Sequence, residues 1–266
     1  MPGALAMVAG PACPCRRHDD APIVAARSCP ATQTPGAEGR DGLRLGGRLS
    51  TGVRVRLPWI LLLVVPLAVG GAARIDIGRF SAGDLSGWQR KSFRGETEYT
   101  VREEGGVQAL CARSRDAGSG LFREREVDLG ATPWIHWSWK VDAGLHAGDE
   151  RTRAGDDYPA RVYVVFSGGP AFWRTRAINY VWSSGEPEGA VWPNAFTANA
   201  RMVAVRSGRD GTGKWQSESR DVLADYRRIF GEEPGTADAV AIMTDTDNTG
   251  AGAAACYGDI WFSADT

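Results

Sequence analysis

Short segments in which apolar and polar residues alternate make up most of the chain after residue 74. They are rich in β-branched and aromatic residues, and glycine, proline or acidic residues separate them, which is typical of β-strands. Nine segments have this pattern: EYTVRE, VQALCARS, GLFREREVDL, WIHWSWKV, ARVYVVFS, AINYVWSS, RMVAVRSG, AVAIMTD and DIWFSA. The pattern predicts an all-β fold, an antiparallel jelly-roll β-sandwich of about nine strands.

One helical pattern interrupts the strands, at SRDVLADYRRIFG. Its apolar residues recur at helical spacing, so that Val222, Tyr226 and Phe230 fall on one face, and Gly231 provides a C-terminal stop. We therefore predict a single short helix at about 219–230.

The alternation also assigns side chains to the two faces of each predicted strand, because residues two apart share a face. In ARVYVVF, Arg161 and Tyr163 lie opposite the apolar face. In AINYVW, Asn179 lies opposite Ile178 and Tyr180. A sheet surface with these polar residues is either a ligand-binding face or an ordinary solvated face.

The N-terminal quarter of the chain has a different composition. Residues 1–52 contain no Trp, Tyr or Phe and have no helical or strand periodicity, so we interpret them as disordered or as an extension upstream of the true translation start. Residues 53–73 place arginines before an apolar run and small residues after it, as a signal peptide does. An uncleaved membrane anchor is the alternative. Residues 74–266 are then one exported domain, periplasmic or secreted.

The charge and the cysteine content of the predicted domain differ from those of the whole chain, because residues 1–73 precede it. Residues 1–73 hold 8 of the 31 basic and 4 of the 32 acidic residues, which leaves a formal net charge of −5 on the remainder. That balance argues against a nucleic-acid partner. Only Cys111 and Cys256 remain, and they are either a disulfide, which an oxidising compartment would preserve, or two buried thiols.

The stretch AVAIMTDTDNTG ends a predicted strand on Asp245 and Asp247. The D-x-D-x-T match to haloacid-dehalogenase-type phosphatases fails, because too few residues follow it to build that domain. An EF-hand fails too, since position 12 would be Cys256 rather than glutamate. Two interpretations remain for these carboxylates: pairing with Arg161, which we favour, and a calcium site completed by Asp259.

Carboxylates at other predicted strand ends offer acid–base chemistry. Asp156 and Asp157 precede one strand and Glu218 precedes the predicted helix. If these ends meet Asp245 and Asp247, a glycosidase-like or lyase-like pair could form, with Glu218, Asp245 and Asp247 as the catalytic candidates. The alternative is turn formation and helix capping.

Several of these segments, among them PWIHWSWKVD, AGDDYPARVYVVF, GKWQSESRDVLADYRRIFG and AIMTDTDNTG, resemble an uncharacterised bacterial family, domain of unknown function 3047. The resemblance covers about Phe80 to Phe262 and implies a small exported protein without an established activity. The family tends to have proline where this chain has Ala195, which implies a less rigid loop. The positions that the resemblance marks are Asp156, Asp157, Arg161, Tyr163, Asn179, Tyr180, Trp182, Asn194, Trp215, Glu218, Asp245, Asp247, Asn248, Tyr257 and Asp259.

A second, more limited resemblance is to jelly-roll carbohydrate-binding modules of the galactose-binding-like type. RFSAGDLSGWQRKSF carries it through Phe80, Asp84, Gly87 and Trp88. It covers only the first strand region, and it implies architecture more than activity.

Two functions are compatible with these patterns. The first is non-catalytic binding of a carbohydrate, a cell-envelope glycan or another small polar ligand, with Trp173 and Trp192 as loop aromatics able to stack on sugar rings. The second is a polysaccharide hydrolase or lyase. No cofactor is expected apart from calcium. The ligand-binding candidates are Asp156, Asp157, Arg161, Tyr163, Asn179, Trp182, Asn194, Glu218, Asp245, Asp247 and Asn248.

The predicted signal peptide generates the first testable prediction. If residues 53–73 are a signal peptide, export removes them and the mature chain begins near Arg74. N-terminal sequencing of the protein recovered from the periplasm or medium should find that start. A chain that begins at Met1 and stays in the membrane fraction would contradict the prediction.

Overall fold

The computed structural model describes residues 73–143, 145 and 148–266. The predicted segments 1–52 and 53–73 lie outside the described residues, apart from Ala73. Among the described residues, no helix has the length and apolar content needed to cross a membrane.

Fourteen strands in the described part of the chain form two seven-stranded sheets. The back sheet contains β1 (Arg74–Gly78), β3 (Glu98–Glu104), β4 (Val107–Arg115), β6 (Trp134–Val141), β11 (Gln216–Asp221), β13 (Gly252–Tyr257) and β14 (Ile260–Ser263). The front sheet contains β2 (Trp88–Arg94), β5 (Gly118–Val127), β7 (Arg161–Phe166), β8 (Arg176–Ser183), β9 (Val191–Pro193), β10 (Ala200–Ser207) and β12 (Ala237–Asp245). Short 3₁₀ turns lie at Phe80–Ala82, Arg153–Gly155 and Phe172–Arg174.

The strand order confirms the predicted jelly-roll sandwich. The back sheet runs β1-β14-β6-β13-β4-β3, with β11 also paired to β6, and the front sheet runs β2-β5-β12-β7-β8-β10-β9. All pairs are antiparallel except β8 with β10, which are parallel because the intervening β9 pairs with the far edge of β10.

The core lies between the two sheets and follows the predicted alternation. Trp137 and Trp139 of β6 point inward against Tyr180 and Trp182 of β8, with ring centroids 5.4 Å apart for Trp137 and Tyr180 and 6.0 Å for Trp139 and Trp182. All four rings are buried. Large aromatic side chains bury more apolar area than any others, so this contact is a main source of cohesion between the sheets.

The strand count exceeds the prediction by five strands, four of which carry no alternation of large apolar residues. Edge strands β2 and β11 are mostly polar, β9 has three residues and includes a proline, and β13 is built from small residues. The fifth, β1, is a short strand that pairs only with β14. Pairing to a neighbouring strand, which a single segment does not reveal, defines such strands.

Helix α1 (Val222–Phe230) begins slightly later than predicted. Ser219 and Arg220 belong to β11 instead, and Asp221 caps the helix by accepting a hydrogen bond from the Ala224 N–H at 2.9 Å. Gly231 ends it with φ +68°, the left-handed conformation that glycine adopts readily.

A disulfide joins Cys111 of β4 to Cys256 of β13, residues that lie directly opposite each other. Of the two interpretations of these cysteines, the structure shows the bonded pair.

Candidate functional site

The outer face of the front sheet, which points away from the core, carries the predicted polar residues. One cross-strand row takes a residue from each of the seven strands. It runs Gln89, Phe122, Ala241, Tyr163, Asn179, Met202 and Trp192. We call this the central row. Its members from Ala241 to Trp192 are buried.

An ion pair between Arg161 and Asp245 lies beside the central row. Arg161 opens β7 and Asp245 ends β12, and both are almost fully buried. The guanidinium donates from Nε to Asp245 Oδ1 at 2.8 Å and from Nη2 to Oδ2. Nη2 also donates to the Asp156 carbonyl at 2.7 Å, and the guanidinium lies 4.4 Å from the centroid of the Tyr158 ring. The predicted pairing of Asp245 with Arg161 is therefore present, in bidentate form.

The charges around Arg161 keep it protonated. Burial works against the charged guanidinium, but Tyr163 and the neighbouring carboxyl group of Asp156 outweigh it and raise the pKa of Arg161 above its ordinary value. Breaking such a buried pair by removing one partner leaves the other charge uncompensated.

A second carboxylate, that of Asp156, extends the network toward the central row. Its Oδ2 lies 3.6 Å from Arg161 Nη1, and Asn194 Nδ2 donates to both its oxygens at 3.1 and 3.2 Å. Burial, partly offset by Arg161, raises the pKa of Asp156 to about 6. Asn194 Nδ2 also lies 3.7 Å from the sulfur of Met202 in the central row.

The loop after β9 is held by Asn194 rather than by proline. Asn194 Oδ1 accepts hydrogen bonds from the backbone N–H groups of Phe196 at 3.0 Å and Thr197 at 3.3 Å. Such an Asx turn fixes local backbone geometry through the side chain. The loop that carries Ala195 therefore keeps a defined conformation.

Asp157 organises the turn that follows β12. Its carboxylate accepts from the backbone N–H of Asn248 at 3.1 Å, from that of Thr249 at 2.7 Å, and from the Thr249 hydroxyl at 2.6 Å. The two predicted acidic stretches therefore meet, and Asp157 holds the second one in place.

Three carboxylates converge at this turn, since oxygens of Asp157, Asp245 and Asp247 all lie within 4.8 Å of one another. Burial and the charge of Asp157 raise the pKa of Asp247. Asp247 also packs tightly on β5, where a Cβ atom added to Gly118 would lie 2.3 Å from Asp247 Oδ1. These oxygens suit a hard cation such as calcium, but Asp245 already binds the guanidinium of Arg161.

The predicted calcium partner Asp259 does not join this cluster. Its carboxylate accepts from the backbone N–H of Ser81 at 2.8 Å and from the Ser81 hydroxyl at 2.6 Å. The predicted ligand residue Trp182 is also placed elsewhere, because its ring lies in the core between the sheets and its Nε1 donates to the Gly208 carbonyl at 3.0 Å. The prediction of Trp182 as a ligand residue was wrong, because the alternation that places Asn179 on the outer face places Trp182 with Ile178 and Tyr180 on the core face. Asp259 lies outside the cluster, and no local pattern shows which distant carboxylates meet.

Glu218 also lies away from the aspartates. It sits on β11 of the back sheet, where it accepts from Trp139 Nε1 at 3.0 Å and from Arg206 Nε at 2.7 Å. Arg206 belongs to β10, so this ion pair links the two sheets. The expected meeting of Glu218 with Asp245 or Asp247 as an acid–base pair does not occur.

Residues that the sequence did not single out complete the site. Tyr158 packs on Val181, Trp192, Met202 and other members of a small cluster on the outer face. Its position next to Asp157 was the only signal in the sequence, whereas a lone methionine such as Met202 gives none.

Of the two predicted loop tryptophans, Trp192 is buried on β9, and Trp173 is 61% exposed.

Asn179 is the one buried side-chain amide with an unfilled hydrogen-bonding atom in the described part of the chain. Its Nδ2 lies 3.1 Å from the sulfur of Met202, but its Oδ1 has no hydrogen-bond partner. On its own sheet face Ala177 and Val181 flank it along the strand, Met202 lies opposite it on β10, and Tyr163 lies opposite it on β7.

Comparison with known proteins identifies a family. The family model described as "Protein of unknown function (DUF3047)" matches residues 86–261. No curated protein matches the chain.

Solved structures with a similar chain path include carbohydrate-binding modules of low sequence identity. A family 11 module of the cellulosomal cellulase Lic26A-Cel5E of Clostridium thermocellum has a TM-score of 0.39 at 10% identity, over 72% of this chain and 94% of that one. A family 29 module variant complexed with mannohexaose has a TM-score of 0.37 at 11% identity, over 73% and 93%.

The Arg161–Asp245 pair generates a prediction about stability. Arg161→Ala should lower the free energy of unfolding by about 3–5 kcal/mol, because it leaves Asp245 buried without its counter-charge. The exposed Arg125→Ala is the control and should change the free energy of unfolding by less than about 0.5 kcal/mol.

If Arg161 supplies the positive charge that Asp245 needs, the melting midpoint of the unmodified domain should be the same in excess calcium and in chelator. A shift of several degrees between the two would favour a metal site.

The raised pKa of Asp156 generates a prediction about pH. The folded state holds the Asp156 proton up to about pH 6, above the ordinary value of 3.8, so ionisation makes the wild-type domain less stable as the pH rises through that interval. The side-chain amide of the Asp156→Asn variant does not titrate. The stability of this variant relative to wild type should therefore be higher at pH 8 than at pH 5 by about 1 kcal/mol, measured by denaturant unfolding. A relative stability that is equal at both pH values, or lower at pH 8, would contradict the assignment.

Proposed function

We propose a function for this chain, which belongs to the family described as "Protein of unknown function (DUF3047)": the outer face of its front sheet binds a neutral carbohydrate, such as a cell-envelope glycan, without catalysing a reaction. The observation that carries the proposal is the unpartnered Oδ1 of Asn179 in the central row.

A buried amide oxygen without a partner is costly, because folding removes its water and returns no hydrogen bond. A ligand hydroxyl is a donor that would supply the missing bond. Asn179 lies near the middle of the seven-stranded sheet, between Tyr163 and Met202 on the neighbouring strands. The site therefore calls for a ligand with hydrogen-bond donors.

The surroundings of Asn179 favour a sugar ring as the carrier of that donor. Tyr163 lies on one side of it, and Phe122 lies two strands farther along the same row, with the small Ala241 between them. Aromatic faces pack well against the apolar faces of sugar rings.

The electrostatics favour a neutral ligand. Arg161 is committed to Asp245 and Asp156, and Asp157 accepts three hydrogen bonds from the turn after β12. An anionic ligand would find no uncommitted positive charge among these groups, whereas a polyhydroxylated one needs only donors and acceptors.

The same commitments argue against the alternative of a hydrolase or lyase. A glycosidase needs two carboxyl groups that face one reacting bond. Glu218 pairs with Arg206 and Trp139 instead, and Asp245 pairs with Arg161. In this arrangement the cluster of aspartates serves to position the sheet ends around the binding face.

We further propose that the domain works outside the cytoplasm, in the periplasm or as a secreted protein. The disulfide between Cys111 and Cys256 supports this location, since such bonds persist in oxidising compartments. The only membrane association expected is through residues 53–73, if they remain as an uncleaved anchor.

The glycan hypothesis predicts a separable effect of Asn179. A glycan array should identify a neutral ligand, and Asn179→Leu should weaken its binding at least about ten-fold, since the donor–acceptor contact is lost. The same variant should be at least as stable as wild type, because it removes a buried polar group at similar volume. Glu218→Gln is the control and should bind normally.

Two results would contradict this proposal. One is unchanged glycan binding by the folded Asn179→Leu variant. The other is release of reducing ends from a bound glycan by the wild-type domain and not by Glu218→Gln, which would favour the hydrolase alternative.

A further inference from the structure

A cavity of about 300 Å³ lies on the outer face of the back sheet. Its floor contains the disulfide between Cys111 and Cys256, and its walls carry charged residues from neighbouring strands. The lining side chains used below are Glu98, Arg102, Arg113 and Asp142. The cavity is separate from the aspartate cluster, which lies where the front-sheet strands β7 and β12 begin and end.

Two opposite charges in the cavity are uncommitted. Glu98 of β3 and Arg113 of β4 lie directly opposite each other, and both are exposed. Within the described residues neither makes an ion pair or a side-chain hydrogen bond, although Arg102 pairs with Glu104 at 3.0 Å. A ligand that carries both a carboxylate and an ammonium group would be complementary to this pair.

The disulfide is within reach of such a ligand. Arg113 lies two residues after Cys111 on β4, so both side chains are on the same face, about 7 Å apart along the strand. Cys111 is 6% exposed and Cys256 is 2% exposed, so Cys111 is the more accessible of the two. Lys140 lies directly opposite Cys256 on β6 and pairs with Glu104, whose carboxylate also lies within 4.8 Å of both sulfurs.

We propose that this cavity binds a small zwitterionic thiol of the amino-acid type, and that the thiol exchanges with the disulfide in the folded protein by attack on Cys111. The thiolate forms a new S–S bond with Cys111 Sγ, the bond between Cys111 and Cys256 breaks, and Cys256 leaves as a thiolate beside Lys140. A second thiol molecule then displaces Cys111 as a thiolate. The balance is two thiols oxidised to their disulfide and one protein disulfide reduced to two thiols.

The experiment measures the rate at which the folded domain is reduced by L-cysteine, which is zwitterionic, and by 2-mercaptoethanol, which is neutral. For the wild-type domain the rate should rise linearly with the concentration of either thiol and should exceed the rate of global unfolding. Arg113→Gln should slow reduction by cysteine about two- to five-fold, the effect expected of an exposed charge pair, and should leave the rate with 2-mercaptoethanol unchanged. Because each variant is compared with wild type for the same thiol, the different acidities of the two thiols cancel.

Arg125→Gln is the matched control, since Arg125 is an exposed arginine on β5 outside the cavity, and it should change neither rate. Acid quenching, alkylation and peptide mass spectrometry should find cysteine attached to Cys111 as a mixed disulfide. A reduction rate independent of thiol concentration, equal effects of Arg113→Gln on both thiols, or attachment to Cys256 instead would each overturn the proposal.

Discussion

The buried ion pair between Arg161 and Asp245 is the constraint on which the outer face of the front sheet depends. Both charges are taken out of water, and a pair of this kind is favourable only when its geometry is good and its remaining hydrogen bonds are filled. The bidentate contact and the Asp156 carbonyl meet that requirement. The pair joins residues 84 positions apart, so it also fixes where the segment before β7 and the turn after β12 meet.

The segment before β7, which the ion pair holds against the turn after β12, makes several other contacts of the site. Asp156 and Asp157 are adjacent in sequence, yet the first accepts from Asn194 and the second from the turn that contains Thr249. Tyr158, next in the chain, covers the outer-face cluster that includes Trp192 and Met202. One short segment thus joins the loop after β9 to the turn after β12 and closes one end of the sheet face on which Asn179 lies.

The two sheets expose different chemistry because their outer faces are built differently. The front sheet has a hydrogen-bonded polar network, in which Arg161 pairs with Asp245 and Asp156, next to alanines and aromatic rings. The outer face of the back sheet has uncommitted charges around a disulfide, which suits a small charged ligand.

The strands, the helix and the face on which each strand residue lies were predictable from local sequence pattern, whereas the contacts between distant segments were not. Alternation correctly placed Arg161, Tyr163 and Asn179 on the face opposite the core, because a side chain's face depends only on strand periodicity. It also identified nine strands, and the capping chemistry identified the helix. Contacts between distant segments have no such local signal. Asp157 rather than Asp259 completes the aspartate cluster, and Glu218 lies on a polar edge strand whose existence depends on pairing with β6.

The central claim is that Arg161 and Asp245 stabilise the domain as a coupled pair, and a double-mutant cycle on the free energy of unfolding tests it most directly. The cycle compares Arg161→Met, Asp245→Asn and the double variant with the wild-type domain. The account predicts that the double variant is more stable than the sum of the two single losses implies, by about 2 kcal/mol or more, because each single change leaves a buried charge without its partner. Additive losses, with a coupling energy near zero, would contradict it.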